Sequence, residues 1–96
     1  MNEYEPAIVS NPGDSLWECM MLELDKGRGL HDMVSKSGLT LPTILGVVTG
    51  TVRIDEEVAV GLETMLGIPA SFWTARDKAY RDWMKRRMEI LDNYRK

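Results

Sequence analysis

Side chains with catalytic or metal-binding potential are few and widely spaced in this chain of 96 residues. Cys19 and His31 are the only residues of their types, which excludes an internal disulfide and a multi-cysteine zinc site. Asp32 does not orient His31 as a base, because neighbouring residues of a helix point in different directions. No nucleophile-elbow or phosphate-loop motif occurs, and no carboxylate pair faces a predicted pocket. The sequence therefore predicts no enzyme, no metal and no cofactor.

Two short helices joined by a tight turn are predicted in the middle of the chain. The first spans Leu30–Ser37 and the second Leu41–Thr49, with Gly38 free to take a positive φ at the corner. Thr40 is placed to cap the second helix, and Pro42 fits its first turn because the missing amide has no intrahelical partner there. This outline is that of a helix-turn-helix, whose second helix enters the major groove of DNA. Many other helical domains contain such a corner.

Three further helices make the predicted fold all-α. One spans Gly13–Lys26 and opens with a capping box formed by Ser15 and Glu18. Another follows the capping residue Asp55, and a long last helix runs from residue 70 or 71 to residue 93. Apolar residues at helical spacing form the predicted core in the first and fourth helices: Leu16, Cys19, Met20, Leu24, Val58, Ala59, Leu62, Met65 and Leu66.

Charge divides the chain into unequal parts. Residues 1–12 form a predicted arm without periodicity, residues 13–73 the helix-turn-helix domain, and residues 74–96 a cationic amphipathic extension. Residues 1–73 carry eleven acidic and four basic side chains, a net charge of −7, whereas residues 74–96 carry four acidic and eight basic ones, a net charge of +4. The acidic part has the wrong sign for neutralising phosphates.

Motifs on both sides of the predicted turn resemble those of a known family. They are Asn11-Pro12-Gly13-Asp14 at the start of the first helix, Thr49-Gly50-Thr51-Val52-Arg53-Ile54-Asp55 after the second short helix, and Leu66-Gly67-Ile68-Pro69-Ala70-Ser71-Phe72-Trp73 before the last one. In this order they resemble the HigA-type antitoxins, a branch of the phage-repressor-like helix-turn-helix family. The resemblance covers roughly residues 11–80. It implies a five-helix domain that dimerises, binds an operator, represses its own operon and neutralises a toxin that cleaves messenger RNA.

The predicted DNA contacts follow from the outward positions of the second short helix and from nearby cations. None of its outward residues is an Arg, Lys, Asn or Gln, the residues that make bidentate contacts to base edges. Threonine hydroxyls can donate to phosphates, while Leu41 and Leu45 fit either thymine methyl groups or a protein interface. Gly46 suggests that a phosphate, a base or another helix approaches the backbone closely. The candidate DNA-binding residues are Lys36, Thr40, Thr43, Leu45, Gly46, Thr49 and Arg53.

The last helix is long for so small a chain, and apolar residues recur along it at steps of three and four. Burying that face requires a partner, and a second copy in a twofold dimer is the simplest one. The basic side chains beside the apolar face are either solvated or bind an acidic partner, including the acidic part of a neighbouring subunit; nucleic acid or an anionic membrane is a less favoured target. The candidate interface residues are Trp83, Met84, Arg87, Met88 and Leu91.

Two functions remain open from the sequence. One is a DNA-binding transcriptional regulator of the antitoxin type. The other is a protein-interaction module that keeps the helix-turn-helix scaffold without reading DNA, which the acidic domain and apolar second helix favour. No apolar run approaches the length of a membrane span and the amino terminus is acidic, so the sequence predicts a cytoplasmic protein without a membrane partner.

Overall fold

The computed structural model describes residues 10–95, which contain five helices and no strand. The helices are α1 (Pro12–Asp25), α2 (Leu30–Ser37), α3 (Leu41–Thr49), α4 (Glu56–Leu66) and α5 (Ala70–Arg95). The all-α prediction is confirmed, as are the bounds of α2 and α3. Most of the predicted amino-terminal arm, residues 1–9, lies outside the described residues.

The start of α1 differs from the prediction. Asn11 is the capping residue, and its side-chain oxygen accepts a hydrogen bond of 3.0 Å from the amide of Gly13. Pro12 occupies the first helical position, where its fixed φ suits the helix and its missing amide costs nothing. The predicted capping box of Ser15 and Glu18 is therefore wrong, because both residues already lie within the helix.

The corner between α2 and α3 has the predicted geometry. Gly38 ends α2 at φ 73°, a left-handed conformation that glycine adopts without steric cost. Thr40 caps α3, since its hydroxyl accepts a hydrogen bond of 3.2 Å from the amide of Thr43. Asp55 caps α4 in the same way, with a bond of 2.9 Å from the amide of Val58. These caps fix the start of both helices.

One apolar core holds the helices together: α2 packs on α4, α4 packs on α5, and α1 packs on both α3 and α5. Trp73 of α5 is fully buried, and burial of a large apolar side chain contributes about 1.5–3 kcal/mol. Cys19, which was predicted to be buried, is only partly so. The buried apolar side chains are Leu16, Met20, Met33, Ile44, Val47, Ile54, Val58, Ala59, Leu62, Met65 and Trp73.

Gly13 lets α1 touch the last turn of α3. A Cβ atom on this residue would overlap the carbonyl oxygens of Val47 and Val48 and would lie 2.8 Å from the carbonyl carbon of Val48. No side chain other than hydrogen fits there, because these neighbours are backbone atoms that cannot rotate away. The Pro-Gly pair thus combines a helix start at Pro12 with a close contact between two helices.

The long helix α5 extends beyond the core. Its 26 residues correspond to about 39 Å of helix at 1.5 Å per residue, and the longest dimension of the molecule is 50 Å. Trp73 and Asp77 near its start are buried, whereas every residue from Met84 to Tyr94 is exposed. Within residues 10–95 no helix combines the length and the apolar character that crossing a membrane requires.

Candidate functional site

The exposed face of α3 is mostly apolar. Leu41 and Leu45, one helical turn apart, are 38% and 45% exposed, and Thr49 follows them on the same side. Ile44 and Val47 on the opposite side are buried in the core. The structure therefore places Leu45 and Thr49 in the outward positions that the sequence predicted.

The hydroxyl groups on α3 are already engaged in local hydrogen bonds. The hydroxyl oxygens of Thr40 and Thr43 lie 2.9 Å apart, and Thr43 is only partly exposed. The hydroxyl of Thr49 donates to the carbonyl oxygen of Leu45 at 3.1 Å. A phosphate oxygen that accepts a hydrogen bond from these threonines must compete with such local partners.

Gly46 was predicted to face outward from α3, and this orientation is wrong. It is buried under the turn that follows α3, where the amides of Thr51 and Val52 donate to its carbonyl oxygen at 2.8 and 3.0 Å. A Cβ atom on Gly46 would overlap Cγ2 of Val52 and lie 3.1 Å from its Cβ. The close approach that this glycine permits is therefore made by the chain itself.

The two predicted cations have different surroundings. Lys36 is exposed in the last turn of α2. Arg53 is also exposed, but its Nε lies 3.9 Å from a carboxylate oxygen of Asp77, which is buried in α5. The other oxygen of Asp77 lies 3.4 Å from Nε of Arg81. Sequence reasoning missed this carboxylate, because 24 positions separate it from Arg53 and no local pattern links them.

An open groove with two acidic residues lies between α1 and α3. We call it the α1–α3 groove; it is lined by Asp14, Trp17, Glu18 and Val48. The Trp17 side chain is 48% exposed. The pKa of the Cys19 thiol on α1 is raised, mainly because the thiol is partly buried. The negative charges of Glu18 and Glu23 raise it further.

The exposed part of α5 carries an apolar stripe, which we define as Met84, Met88 and Leu91. Steps of four and three residues place the stripe on the helix face that buries Trp73 and Asp77 nearer the start. The three side chains are 37%, 58% and 56% exposed.

The remaining predicted interface residues flank this stripe. Trp83 is half-buried, and the guanidinium carbon of Arg87 lies 4.9 Å from the centre of its indole ring. The structure adds Ile90 and Tyr94, which are 59% and 88% exposed. The exposed end of α5 thus presents more apolar surface than the predicted interface residues alone.

No family model, curated protein or solved structure matches this chain. Among residues 10–95 no three His, Cys, Asp or Glu side chains are grouped so that they could hold a metal ion. The described surface offers three candidate binding features: the exposed face of α3, the α1–α3 groove and the apolar stripe on α5.

Proposed function

We propose that the protein is a DNA-binding transcriptional regulator with a phage-repressor-like helix-turn-helix fold. The observation that carries this proposal is the geometry of α2 and α3. These two short helices are joined through Gly38 in a left-handed conformation. Ile44 and Val47 bury one face of α3 in the core, and the opposite face is exposed. A helix of this kind fits the major groove of DNA. Repression of its own operon and neutralisation of a toxin belong to the same proposal, on the resemblance to HigA-type antitoxins.

Recognition would combine apolar base contacts with few phosphate contacts. The Leu41 and Leu45 side chains are suited to thymine methyl groups, and Thr49 to a phosphate or a base edge. Lys36 and Arg53 are the candidate phosphate-neutralising cations. With so few cations, we expect modest affinity and a shallow dependence on salt, because the slope of log K against log salt is about −0.9 for each neutralised phosphate.

The test is a fluorescence anisotropy titration against the DNA that flanks the gene, at about 50 and 200 mM salt, a range over which phosphate-dominated binding changes strongly. The Leu45→Glu variant should lose binding, since it places a negative charge at the centre of the exposed face of α3. Leu22→Glu is the matched control, because Leu22 is 58% exposed on α1. Binding that survives Leu45→Glu would refute the assignment of α3 to the groove.

The cations can be tested separately. Lys36→Ala should reduce the salt slope by about 1 for each phosphate contact that is lost. Lys26→Ala is the control, because Lys26 is exposed at the end of α1 and pairs with Glu23 at 3.3 Å. An unchanged slope for Lys36→Ala would remove that lysine from the interface.

A second function, binding of a protein without recognition of DNA, is favoured by one observation. The exposed apolar residues of α3 lie beside a groove that contains acidic side chains. Trp17 and Leu45 are each nearly half exposed, and Asp14 and Glu18 would repel phosphates. A module that binds a protein through this surface would show no DNA binding at the lower salt concentration while remaining folded. Absence of DNA binding by the folded, unmodified chain would overturn the regulator proposal and favour protein binding.

A further inference from the structure

We propose that the exposed end of α5 from a second copy of this chain docks in the α1–α3 groove. The docking helix is the segment of α5 that the sequence predicted to form the dimer interface. Only the expected effect of docking on DNA binding rests on the proposed function. Both the docking helix and the receiving groove are present in every copy, so the contact requires no other protein.

The docking helix has the form of an apolar stripe bordered by cations. Met84, Met88 and Leu91 are exposed on one face. At about 100° per residue, Arg87 and Lys85 lie on the two flanks of this stripe. An amphipathic helix of this kind binds a partner by laying its apolar face into a groove.

The receiving groove has the complementary character. Trp17 and Val48 provide apolar surface, and Asp14 and Glu18 provide negative charge beside it. Leu45, one turn before Val48 on α3, is 45% exposed and extends the apolar area towards the outer face of α3. Thus an apolar stripe flanked by cations meets an apolar groove flanked by carboxylates.

Charge decides between this arrangement and direct pairing of two α5 helices. The segment from residue 74 to the end carries a net charge of +4, so two such segments side by side would repel each other. Residues 1–73 carry −7 and attract the same segment. Seating α5 on the acidic part of the other copy therefore covers the apolar stripe and brings opposite charges together.

Docking in this groove has a consequence for DNA binding. Val48 lines the groove and lies one helical turn after Leu45 on α3. A helix in the groove therefore covers or crowds Leu45. Self-association and DNA binding should therefore exclude each other. Operator DNA added to the self-associated protein should dissociate it into its separate copies.

The first measurement is sedimentation equilibrium of the unmodified protein, without DNA, at about 50 and 500 mM sodium chloride; the Debye length shrinks severalfold over this range. Docking in the acidic groove predicts an association that weakens with salt. Pairing of two cationic α5 helices predicts an association that strengthens with salt, and this result would overturn the proposal. A monomer at both salt concentrations would also overturn it and would indicate an occupant other than a second copy.

A charge exchange tests the contact itself. Glu18→Lys and the double variant Lys85→Glu/Arg87→Glu should each weaken self-association by about tenfold or more, because each brings like charges together. A mixture of the two variants should recover association between unlike copies. Failure of the mixture to recover, with both variants folded by circular dichroism, would refute the groove as the docking site.

Two controls each reverse a single charge elsewhere. Asp25→Lys lies at the far end of α1, and Arg86→Glu lies on the side of α5 opposite the apolar stripe. Both should associate nearly as the unmodified protein does. Since none of these measurements contains DNA, failure of the docking proposal can be distinguished from failure of the regulator proposal.

Discussion

Replacing Gly13 by alanine should force α1 away from the end of α3. The new Cβ would lie 2.8 Å from the carbonyl carbon of Val48, whereas ordinary contacts of such atoms begin at 3.4 Å. It would also overlap the carbonyl oxygens of Val47 and Val48. The two helices must therefore separate by at least 0.6 Å at this point, the difference between those two distances.

The expected loss of stability follows from two opposing terms. Overpacking of a filled interior costs about 1–3 kcal/mol, and we take the upper value because backbone atoms cannot rotate away. Removing the flexibility of glycine from the unfolded chain returns about 0.4–1 kcal/mol. The net loss in the free energy of unfolding is about 2 kcal/mol. For a domain of this size it lowers Tm by roughly 8–16 °C.

Urea denaturation followed by circular dichroism, together with a thermal scan, measures both quantities. Gly29→Ala is the matched control, since a Cβ there would meet a single neighbouring atom, Oδ2 of Asp32 at 3.7 Å. Its free energy of unfolding should change by less than about 0.5 kcal/mol, because reduced flexibility of the unfolded chain offsets a poorer helix cap. Equal stability of Gly13→Ala and the unmodified protein would refute the close contact between α1 and α3.

Three further predictions concern α1 and the residues that follow it. Gly29→Ser should raise the free energy of unfolding in urea by a few tenths of a kcal/mol, because Gly29 precedes α2 as its capping residue in an extended conformation without a side-chain hydrogen bond. Cys19 should react with iodoacetamide at pH 8 more slowly than a free cysteine, owing to its raised pKa, and Glu18→Gln should accelerate the reaction. Arg28→Ala should cost about 1–3 kcal/mol in urea, because the guanidinium donates to a backbone carbonyl of α4 at 2.9 Å. Hydrogen bonds from Arg28 and then Lys26 lower the pKa of Glu23, so its contribution is present above its unfolded pKa and lost as pH falls through the folded pKa. Arg28→Ala should flatten this acid limb of a stability profile against pH, and an unchanged limb would contradict that assignment.

Local signals were sufficient for most of the fold. Thr40 and Asp55 were identified as caps because the capping hydrogen bond joins residues three positions apart, a distance that the sequence displays directly. The start of α1 was misplaced for a comparable reason. Both Asn11 and Ser15 are good capping residues, and the position of Pro12 decides between them.

The candidate site was less predictable because it depends on contacts between distant parts of the chain. Counting along α3 placed Gly46 outward, since helical periodicity contains no information about the turn that folds back over it. The position of Asp77 beside Arg53 depends on how α5 crosses the linker after α3. The α1–α3 groove requires two helices to be placed together, so the sequence did not indicate that Trp17 and Glu18 share a groove with Val48.

Each of the first four helices is followed at once by a glycine with positive φ: Gly27 one residue beyond the cap of α1, then Gly38, Gly50 and Gly67. The connecting segments are correspondingly short, and most contacts between residues join positions that are close in the sequence, although the helices themselves pack mainly on non-sequential partners. Such a topology lowers the entropy of loop closure and predicts folding in the microsecond to millisecond range. The end of α5 takes little part in that process, because its residues from Met84 to Tyr94 are exposed. In the separate copies its amides should exchange with deuterium through local opening, long before those around Trp73 do.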